Sequence, residues 1–433
     1  MPYGERLPLH PNSKPITDMN IKAILLAAGS VVFPFAASAL SLAEARQMAR
    51  DNYPAIRQYR LIEQSNGYSI SNASKAWLPQ VSVSAGAYAF TDIIKSNTQM
   101  ERMGINTKNS VASASVTVRQ NIYDGGQTAA QKLVTAAESD VQTRQLDVTM
   151  YEINERVDNI YFGILVIDAQ LRQNALLQKD LATGEETVRS MMSHGIANEG
   201  DLETILVEKL KATQQRDAMT ASRKAYLRML GTFMGKKIEE SDTLETPAET
   251  AAVEKTGANR PELSYYASRN ALLDARRRQI DSRLRPTVTL FGAGLAHTNV
   301  SDMIKNGVAV GGVSVAWNIG ALYTRKNDIR NLQAQKAINN VMRETFLFQT
   351  KLKNEEADGN IEALRKQIAG DEEIIRLRES LRNRNERKVK LGTESVNQLV
   401  SDINAVGMAR AQKAQHEILL LKEMYNQKNI NNE

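Results

Sequence analysis

The stretch that decides the fold is residues 146–171, LDVTMYEINERVDNIYFGILVIDAQL. Apolar residues recur in it at steps of four and three, the 3.5-residue period at which helices pack into left-handed coiled coils. They are Leu146, Met150, Ile153, Val157, Ile160, Ile164, Ile167 and Leu171. No proline interrupts residues 126–193, so we expect one helix on the order of 100 Å long. Helices in globular proteins average roughly 11–12 residues, and the sequence therefore predicts an elongated molecule.

The composition limits the classes of protein that fit this chain. Lysine and arginine exceed aspartate and glutamate by only 6 in 433 residues, and no basic block is dense enough for a nucleic-acid partner. Cysteine is absent, which removes disulfides and thiolate chemistry. The histidines have no zinc-like spacing; they are His10, His194, His297 and His416. We therefore predict no enzyme activity, no cofactor and no metal site.

The first residues of the chain have the pattern of an export signal. Lys22 precedes the apolar run 23–39, which ends in Ala-Ser-Ala, the small-residue pattern that a signal peptidase needs. We expect residues 1–39 to be an upstream segment and a secretory signal peptide, with Met19 as the start of translation and cleavage after Ala39. A membrane anchor is the alternative, but the run is short and lacks a charged stop. No later stretch reaches the roughly 18 apolar residues of a spanning helix.

The first half of the mature chain, 40–238, is predicted to combine strands with long helices. Ser41 followed by Glu44 is a capping box and predicts a short helix there. The apolar period changes to two in the strand pair 80–122, on either side of a polar loop. The long helix and a return helix, 201–231, complete this half.

The same order of elements is predicted again in residues 259–433. Prolines before the first helix and before the first strand recur at a spacing of 207 residues, and later landmarks recur at a spacing of 197. The second half thus contains a helix, a strand pair 287–319, a long helix 321–391 and a return helix 396–427. Residues 239–258 join the halves as a linker. Such self-similarity predicts a tandem duplication.

The small number of strands predicts an assembly of several chains. Four strands cannot close a barrel, because roughly eight is the practical minimum, and open strand edges need neighbours. Three chains that give four strands each would supply twelve. We therefore predict an α+β membrane protein whose tandem-repeat protomer gives four β-strands to a trimeric 12-stranded barrel, continued by a long antiparallel α-helical coiled-coil tunnel.

The chain resembles the TolC family of outer-membrane efflux proteins, the outer membrane factors. The resemblance covers nearly all of the mature chain and is carried by the order and spacing of short motifs. They are Leu42-x-x-Ala45, Asn52-x-Pro54, Trp77-Leu78-Pro79, Gln120-Asn121-Ile122-Tyr123-Asp124-Gly125-Gly126 and twin turns at Gly195 and Gly392. The second strand-to-helix junction departs from this pattern, with Ile319-Gly320-Ala321-Leu322 in place of a Gly-Gly turn.

The resemblance implies a homotrimer with its barrel in the outer membrane, in contact with lipid, and its helical tunnel in the periplasm. It implies the duct of a tripartite efflux or type I secretion system. Such a duct passively conducts cargo to the exterior from an inner-membrane pump and a periplasmic adaptor (membrane fusion protein). It also places the adaptor-docking tips at the two helix turns, here His194, Gly195, Ile196, Ala197, Leu391, Gly392 and Thr393.

A gate at the tunnel entrance is also implied by the resemblance. Family members close the entrance with inward aspartates on the helix after the second turn. Counted from Gly392, those positions are Gln398 and Ser401 here, with Asp402 one residue further. Asp201 keeps the acidic residue in the first half. Gln398 would be a neutral replacement, so the implied gate is less acidic than is usual.

Two other classes of protein fit part of the sequence. A periplasmic coiled-coil adaptor or scaffold without a barrel explains the heptad seam and the signal peptide. It leaves unexplained two strand pairs at matching positions in both halves. A secreted filament-forming coiled coil would need no strands at all.

Overall fold

The computed structural model describes residues 39–89, 110–249, 255, 257, 259–299 and 306–432. Two long helical hairpins, three shorter helices and one four-stranded antiparallel sheet make up this part of the chain. The predicted signal peptide, except its last residue, lies outside the described residues, as does most of the polar loop within each strand pair.

The elements follow one another in the same order in both halves, except that the first half has an additional helix before its strands. The first half contains α1 (Leu42–Asn52), α2 (Arg57–Ser74), β1 (Gln80–Ala89), β2 (Ser110–Tyr123), α3 (Gln127–Ser193) and α4 (Glu199–Met234). The second half contains α5 (Pro261–Ser282), β3 (Thr287–Asn299), β4 (Asn306–Ala316), α6 (Ala321–Lys390) and α7 (Val396–Asn431). None of these described helices is long and apolar enough to cross a membrane. The division of the chain into two repeats stays a prediction.

The start of the predicted mature chain contacts the long helix α3. The Ser41 side chain accepts a hydrogen bond from the Glu44 N–H (3.3 Å), and the Glu44 carboxylate accepts one from the Ser41 N–H (3.0 Å). The predicted capping box is thus confirmed, and its hydrogen bonds hold the pKa of Glu44 below its ordinary value. Leu40 forms a parallel bridge with Leu244 of the predicted linker, and the Tyr161 hydroxyl donates to the Leu40 carbonyl (2.6 Å).

The predicted heptad seam of α3 lies in the main core along most of its length. Its first six members, from Leu146 to Ile164, are buried, whereas Ile167 and Leu171 are half-buried. Tyr161 and Phe162 are fully buried although they lie outside the seam. The reason is that α3 packs against α1, α2, α4, α5 and α7, so more than one of its faces is covered. A prediction from one heptad seam therefore misses buried residues on the other faces of a helix with several neighbours.

The first return helix, α4, is longer than predicted. It continues past Gly231 to Met234 and is capped by Gly235, which has a left-handed φ of +67°. Gly231 serves another purpose: a Cβ at that position would lie 2.7 Å from the carbonyl oxygen of Lys236. The absence of a side chain there lets the chain pack closely against the helix that it has just left. The predicted helix end at Gly231 is therefore wrong by about one turn.

The sheet has the strand order β1-β2-β3-β4, so β1 and β4 are its edges. Val83 lies opposite Val116, and Ser84 lies opposite Ser115 with 2.7 Å between the two hydroxyl oxygens. The apolar faces predicted for the first two strands therefore coincide, because paired residues point to the same side of a sheet.

The last strand is shorter at its end than predicted. β4 ends at Ala316 instead of continuing to Ile319. The indole Nε1 of Trp317 donates to the Leu284 carbonyl (2.9 Å), and the backbone turns between Trp317 and Ala321. The side-chain contact and the turn stop the ladder, although the apolar pattern continues for three more residues.

Candidate functional site at the paired helix turns

The first helix turn is a Schellman motif that ends α3. The Ile196 N–H donates to the Met191 carbonyl (2.9 Å), and the Gly195 N–H donates to the Met192 carbonyl (3.0 Å). Gly195 has a φ of +72°, in the left-handed region that favours glycine. The motif satisfies carbonyl groups that the end of a helix otherwise leaves without donors.

The second helix turn repeats this geometry at the end of α6. The Thr393 N–H donates to the Lys388 carbonyl, and the Gly392 N–H donates to the Val389 carbonyl, both at 2.9 Å. Gly392 has a φ of +68°. The twin glycine turns expected from the sequence are therefore confirmed as structures, while their docking role stays a prediction.

The two turns meet side by side. A Cβ built on Gly392 would lie 3.3 Å from Cγ2 of Ile196. A single apolar core below the turns joins all four long helices, and its fully or nearly fully buried members include Leu181, Val188, Ile205, Val389, Val396 and Leu399. The two turns therefore lie next to each other on one shared helical core. We call these two adjacent turns the paired tip.

Two apolar side chains project from the paired tip. Leu391 is 78% exposed, and Ile196 is exposed as well. Ala197 is half-buried, and Nδ1 of His194 lies 2.7 Å from the Ser190 carbonyl oxygen. The remaining predicted docking residues are also exposed: His194, Gly195, Gly392 and Thr393. The paired tip therefore has two apolar side chains on its exposed surface.

Asp201 has a structural partner at the start of α4. Its N–H donates to Oδ1 of Asn198 (3.1 Å), and its carboxylate accepts from the Asn198 N–H (3.0 Å). These bonds form a capping box for the helix that follows the first turn. Asp201 as a whole is half-buried.

The other predicted gate residues lie at the start of α7. Asp402 is only 6% exposed, and its carboxylate accepts from Nδ2 of Asn385 (2.7 Å) and Nε2 of Gln398 (3.0 Å). Ser401 is exposed. The structure thus brings Gln398 and Asp402 together and places Asp201 in the other hairpin. In the single chain Asp402 joins α6 to α7 rather than facing solvent.

An ion-pair cluster lies below the paired tip, at the level of the same apolar core, and was not predicted from the sequence. Oδ2 of Asp180 on α3 lies 3.1 Å from Arg382 of α6 and 3.2 Å from Arg410 of α7. Arg410 also pairs with Glu379 at 2.5 Å. The cluster joins both hairpins through charge-assisted hydrogen bonds. Its partners are more than 200 residues from Asp180, so no local pattern in the sequence could reveal it.

The two turns also carry opposite charge, a difference that the sequence did contain. Residues 185–203 hold five acidic and one basic side chain, whereas the matching residues 382–400 hold five basic and two acidic ones. Hydrogen bonds from Lys209 and Arg189 keep the pKa of Glu185 below its ordinary value. The paired tip therefore presents an acidic half and a basic half.

The fold is similar to solved structures of outer-membrane channels. The outer-membrane channel OprN is 13% identical, with a TM-score of 0.67 over 90% of this chain and 89% of that chain. The outer membrane protein VceC from Vibrio cholerae is 11% identical, with a TM-score of 0.64 over 90% and 94%. The Neisseria gonorrhoeae MtrE outer membrane channel, in its open state, is 13% identical, with a TM-score of 0.64 over 90% and 88%. No protein-family profile matches the chain, and curated protein sequences contain no match.

The chain therefore has the fold of an outer-membrane channel protein. At 11–13% identity the likeness is one of fold. The structures matched are channels of the TolC family, so the predicted resemblance to that family is confirmed at the level of the fold.

Proposed function

We propose that the chain is the outer-membrane duct of a tripartite efflux or type I secretion system. In this proposal three copies form a passive tunnel that receives cargo from an inner-membrane pump and a periplasmic adaptor. The observation that carries the proposal is an apolar stripe on α6 that no described part of the chain covers, beside a sheet with two open edges.

The apolar stripe on α6 has the spacing of a coiled-coil seam. It consists of Ile338, Val341, Phe348 and Leu352, which lie at heptad positions and are 55%, 59%, 62% and 53% exposed. Fully burying one such side chain stabilises a protein by about 1.5–3 kcal/mol. A stripe of this period is best covered by another helix, and its exposure in the single chain points to a helix from a second copy.

The opposite flank of the chain also has exposed apolar side chains, which could cover the stripe of a neighbouring copy. Edge strand β4 leads into α6, and the other edge strand, β1, follows α2. One flank of the chain therefore consists of β4 and α6, and the opposite flank includes β1 and α2. Leu61 and Tyr68 of α2 are exposed, as are Val207 and Leu210 of α4. In the proposed assembly the β4–α6 flank of one copy meets the β1–α2–α4 flank of the next. Such head-to-tail contacts close into a ring.

A closed ring would also satisfy the strand edges. Unpaired edge strands are a template for aggregation, and a barrel removes them. We propose that three copies supply twelve strands, a number taken from the resemblance to the TolC family. The apolar face shared by β1 and β2 would then face lipid, and their serine-rich face would face the lumen.

The paired tip would be the periplasmic end of the duct. We propose that exposed Leu391 and Ile196 contact the adaptor. The predicted entrance gate comprises Asp201, Gln398, Ser401 and Asp402. Opening would change the angle of the hairpins near Gly195 and Gly392, where the helices are interrupted.

The gate can be tested with charge-neutral variants. Asp201→Asn and Asp402→Asn are expected to lower the cation selectivity or change the single-channel conductance, because each removes a negative charge near the entrance. The matched control is Asp217→Asn, which removes an exposed carboxylate from α4 away from the tip. Conductance and selectivity that stay the same in both gate variants would remove these two residues from the gate.

Planar-bilayer recording of the detergent-extracted protein tests the function itself. A trimer that produces discrete channels is the expected result. A trimer without conductance should gain it when Asp201, Gln398 and Asp402 are altered. A protein that leaves membranes in a high-salt wash and never inserts would overturn the duct and favour an adaptor or scaffold.

A further inference from the structure

The four junctions between strands and helices lie at one end of the sheet. In the antiparallel order, β1 and β3 begin at the end where β2 and β4 finish. The strand register places these strand ends side by side, because Gln80 lies opposite Arg119, and Thr287 lies opposite Ala316. Residues next to each junction therefore share one level of the molecule.

Side-chain contacts join neighbouring junctions into a continuous band. Nε2 of Gln120 reaches the Trp77 carbonyl at 3.5 Å, and Nε1 of Trp317 donates to the Leu284 carbonyl at 2.9 Å. Nη1 of Arg285 lies 3.5 Å from the position of a Cβ on Gly126. We call this level the junction band.

The junction band holds an unusual share of the exposed aromatic rings. Both tryptophans of the chain lie there, Trp77 at 38% exposure and Trp317 at 59%. Tyr123 ends β2 at 42% exposure, and Tyr323 in the first turn of α6 is 83% exposed. Large rings that serve only to fill a core would be buried. Tryptophan and tyrosine with an exposed ring are typical of the water-facing boundary of a membrane.

The band is also strongly basic on its helical side. Residues 276–285 hold five arginines and one aspartate, although the whole chain has an excess of only 6 positive charges. Arg276 pairs with Glu138, and Asp281 pairs with Arg325. The other four arginines, Arg277, Arg278, Arg283 and Arg285, are exposed and form no ion pair with any described carboxylate.

A second basic region of the chain provides an internal comparison. Residues 382–400 at the second turn hold as many basic side chains, but they include no phenylalanine, tyrosine or tryptophan. A charged surface that serves only solubility needs no aromatic rings. Of these two regions, only the junction band combines exposed rings with arginines that pair with no described carboxylate.

We propose that the junction band binds the phosphate headgroups of anionic phospholipids in the periplasmic leaflet of the outer membrane. Guanidinium groups donate paired hydrogen bonds to phosphate oxygens, and basic residues beside a bilayer attract anionic lipid. The rings would lie at headgroup depth between strands and helices. This inference rests on the proposed function, because it needs the strands to cross the membrane.

Quenching of tryptophan fluorescence by brominated lipids tests the proposal without any label, because both fluorescent tryptophans lie in the band. The wild-type protein is reconstituted into phosphatidylcholine containing increasing fractions of brominated phosphatidylglycerol or brominated phosphatidylcholine. We expect several-fold stronger relative binding of phosphatidylglycerol. The triple variant Arg277→Gln, Arg278→Gln, Arg283→Gln is expected to bring this preference close to one. Arg384→Gln, Arg387→Gln, Lys388→Gln is the matched control at the tip and should retain it.

Several outcomes would overturn the inference. Equal quenching by both lipids, or equal loss of preference in the band and tip variants, would contradict it. A preference abolished by inorganic phosphate would assign the band to free phosphate instead of lipid. If the glutamine variant fails to assemble, the triple lysine variant at the same positions should keep the preference, and its loss there would contradict the charge-based account. A protein that conducts in planar bilayers but shows no preference refutes this inference alone, whereas absent conductance and absent quenching together refute the duct.

Discussion

The two long helices, α3 and α6, are counterparts in sequence order and nearly equal in length, yet their surroundings differ. α3 spans 67 residues, and its buried face is dominated by apolar side chains. α6 spans 70 residues, and its few buried residues are mostly polar, including Asn339, Thr350, Asn354 and Asp371. Its large apolar side chains, such as Phe348, are exposed instead.

The difference shows that one pattern can serve two environments. α3 packs against five helices, whereas α6 packs mainly against α5 and α7 and contacts α3 through the ion pair between Arg382 and Asp180. The stripe on α6 is thus an apolar surface that the described part of the chain leaves exposed. In our account a second copy covers it.

The largest expected effect comes from breaking the core around α3. Phe162 is fully buried, and its ring lies 5.7 Å from that of Tyr425 between centroids. Phe162→Ala is expected to lower the free energy of unfolding by about 3–5 kcal/mol, through lost burial and a cavity. Urea unfolding of detergent-separated single chains, followed by circular dichroism, measures it. Phe348→Ala on α6 is the control and should change the free energy by less than about 0.5 kcal/mol. Equal losses would contradict the difference between the helices.

The second prediction addresses assembly instead of folding. Phe348→Lys places a charge in the exposed stripe of α6, so the covering copy would have to bury it. Losing about 1.5–3 kcal/mol of burial should weaken association at least about tenfold. Light scattering coupled to size exclusion measures the mass as a function of concentration. Asn360→Lys adds the same charge to α6 away from the stripe and should leave assembly intact. An unaffected Phe348→Lys assembly would show that the stripe is not an interface.

A smaller effect is expected from one glycine in each long helix. A Cβ on Gly163 of α3 would lie 2.6 Å from Cε1 of Tyr226, whereas a Cβ on Gly359 of α6 meets nothing within 4 Å. Gly163→Ala should destabilise single chains by about 1 kcal/mol or more, because crowding exceeds the gain in helix propensity. Gly359→Ala should stabilise them by about 0.5–1 kcal/mol. The same urea titration measures both variants, and a loss at Gly359 would argue against an open face on α6.

The smallest effect concerns how the two helices begin. The Asp124 carboxylate accepts from the Gly126 N–H (2.8 Å) and the Thr128 N–H (2.7 Å) at the start of α3. Burial opposes ionisation of Asp124, but the hydrogen bonds from Thr128 and Gly126 outweigh it and lower its pKa below the ordinary 3.8. α6 begins at Ala321, and its N-cap residue, Gly320, makes no side-chain capping hydrogen bond.

Asp124→Ala is therefore expected to cost about 1 kcal/mol at neutral pH. A carboxyl whose pKa is lowered by folding stabilises the protein above its unfolded-state pKa, and that contribution is lost as the pH falls through its folded-state pKa. The difference between wild type and variant should thus shrink in acid. Unfolding titrations at several pH values measure it, with Asn318→Ala before α6 as the control. A difference that does not depend on pH would contradict the role of the charge.

Local features of the fold were predictable from the sequence because they depend on neighbouring residues. The prolines, the capping box at Ser41 and the turn glycines Gly195 and Gly392 act through backbone geometry within a few positions. The heptad period likewise reports one buried face of α3. These signals are sufficient for the order and the approximate length of the elements.

Features that depend on how the chain packs could not be predicted. Gly231 carries the signal of a helix stop, yet its role is set by Lys236 packing against the helix. Asp402 matched an expected gate position, but its burial depends on Asn385 of the preceding helix. The exposure of the apolar stripe on α6 likewise depends on which elements pack beside that helix, and no local pattern contains this information. Period defines a face, and only the packing shows what covers it.

Native mass spectrometry of the detergent-extracted protein tests the central claim most directly. If the exposed stripe of α6 is covered by another copy, the wild-type protein should have three times the mass of the mature chain, and Phe348→Lys should shift it toward single chains. A wild-type protein with the mass of one chain at all concentrations, still folded and inserted in membranes, would contradict the account.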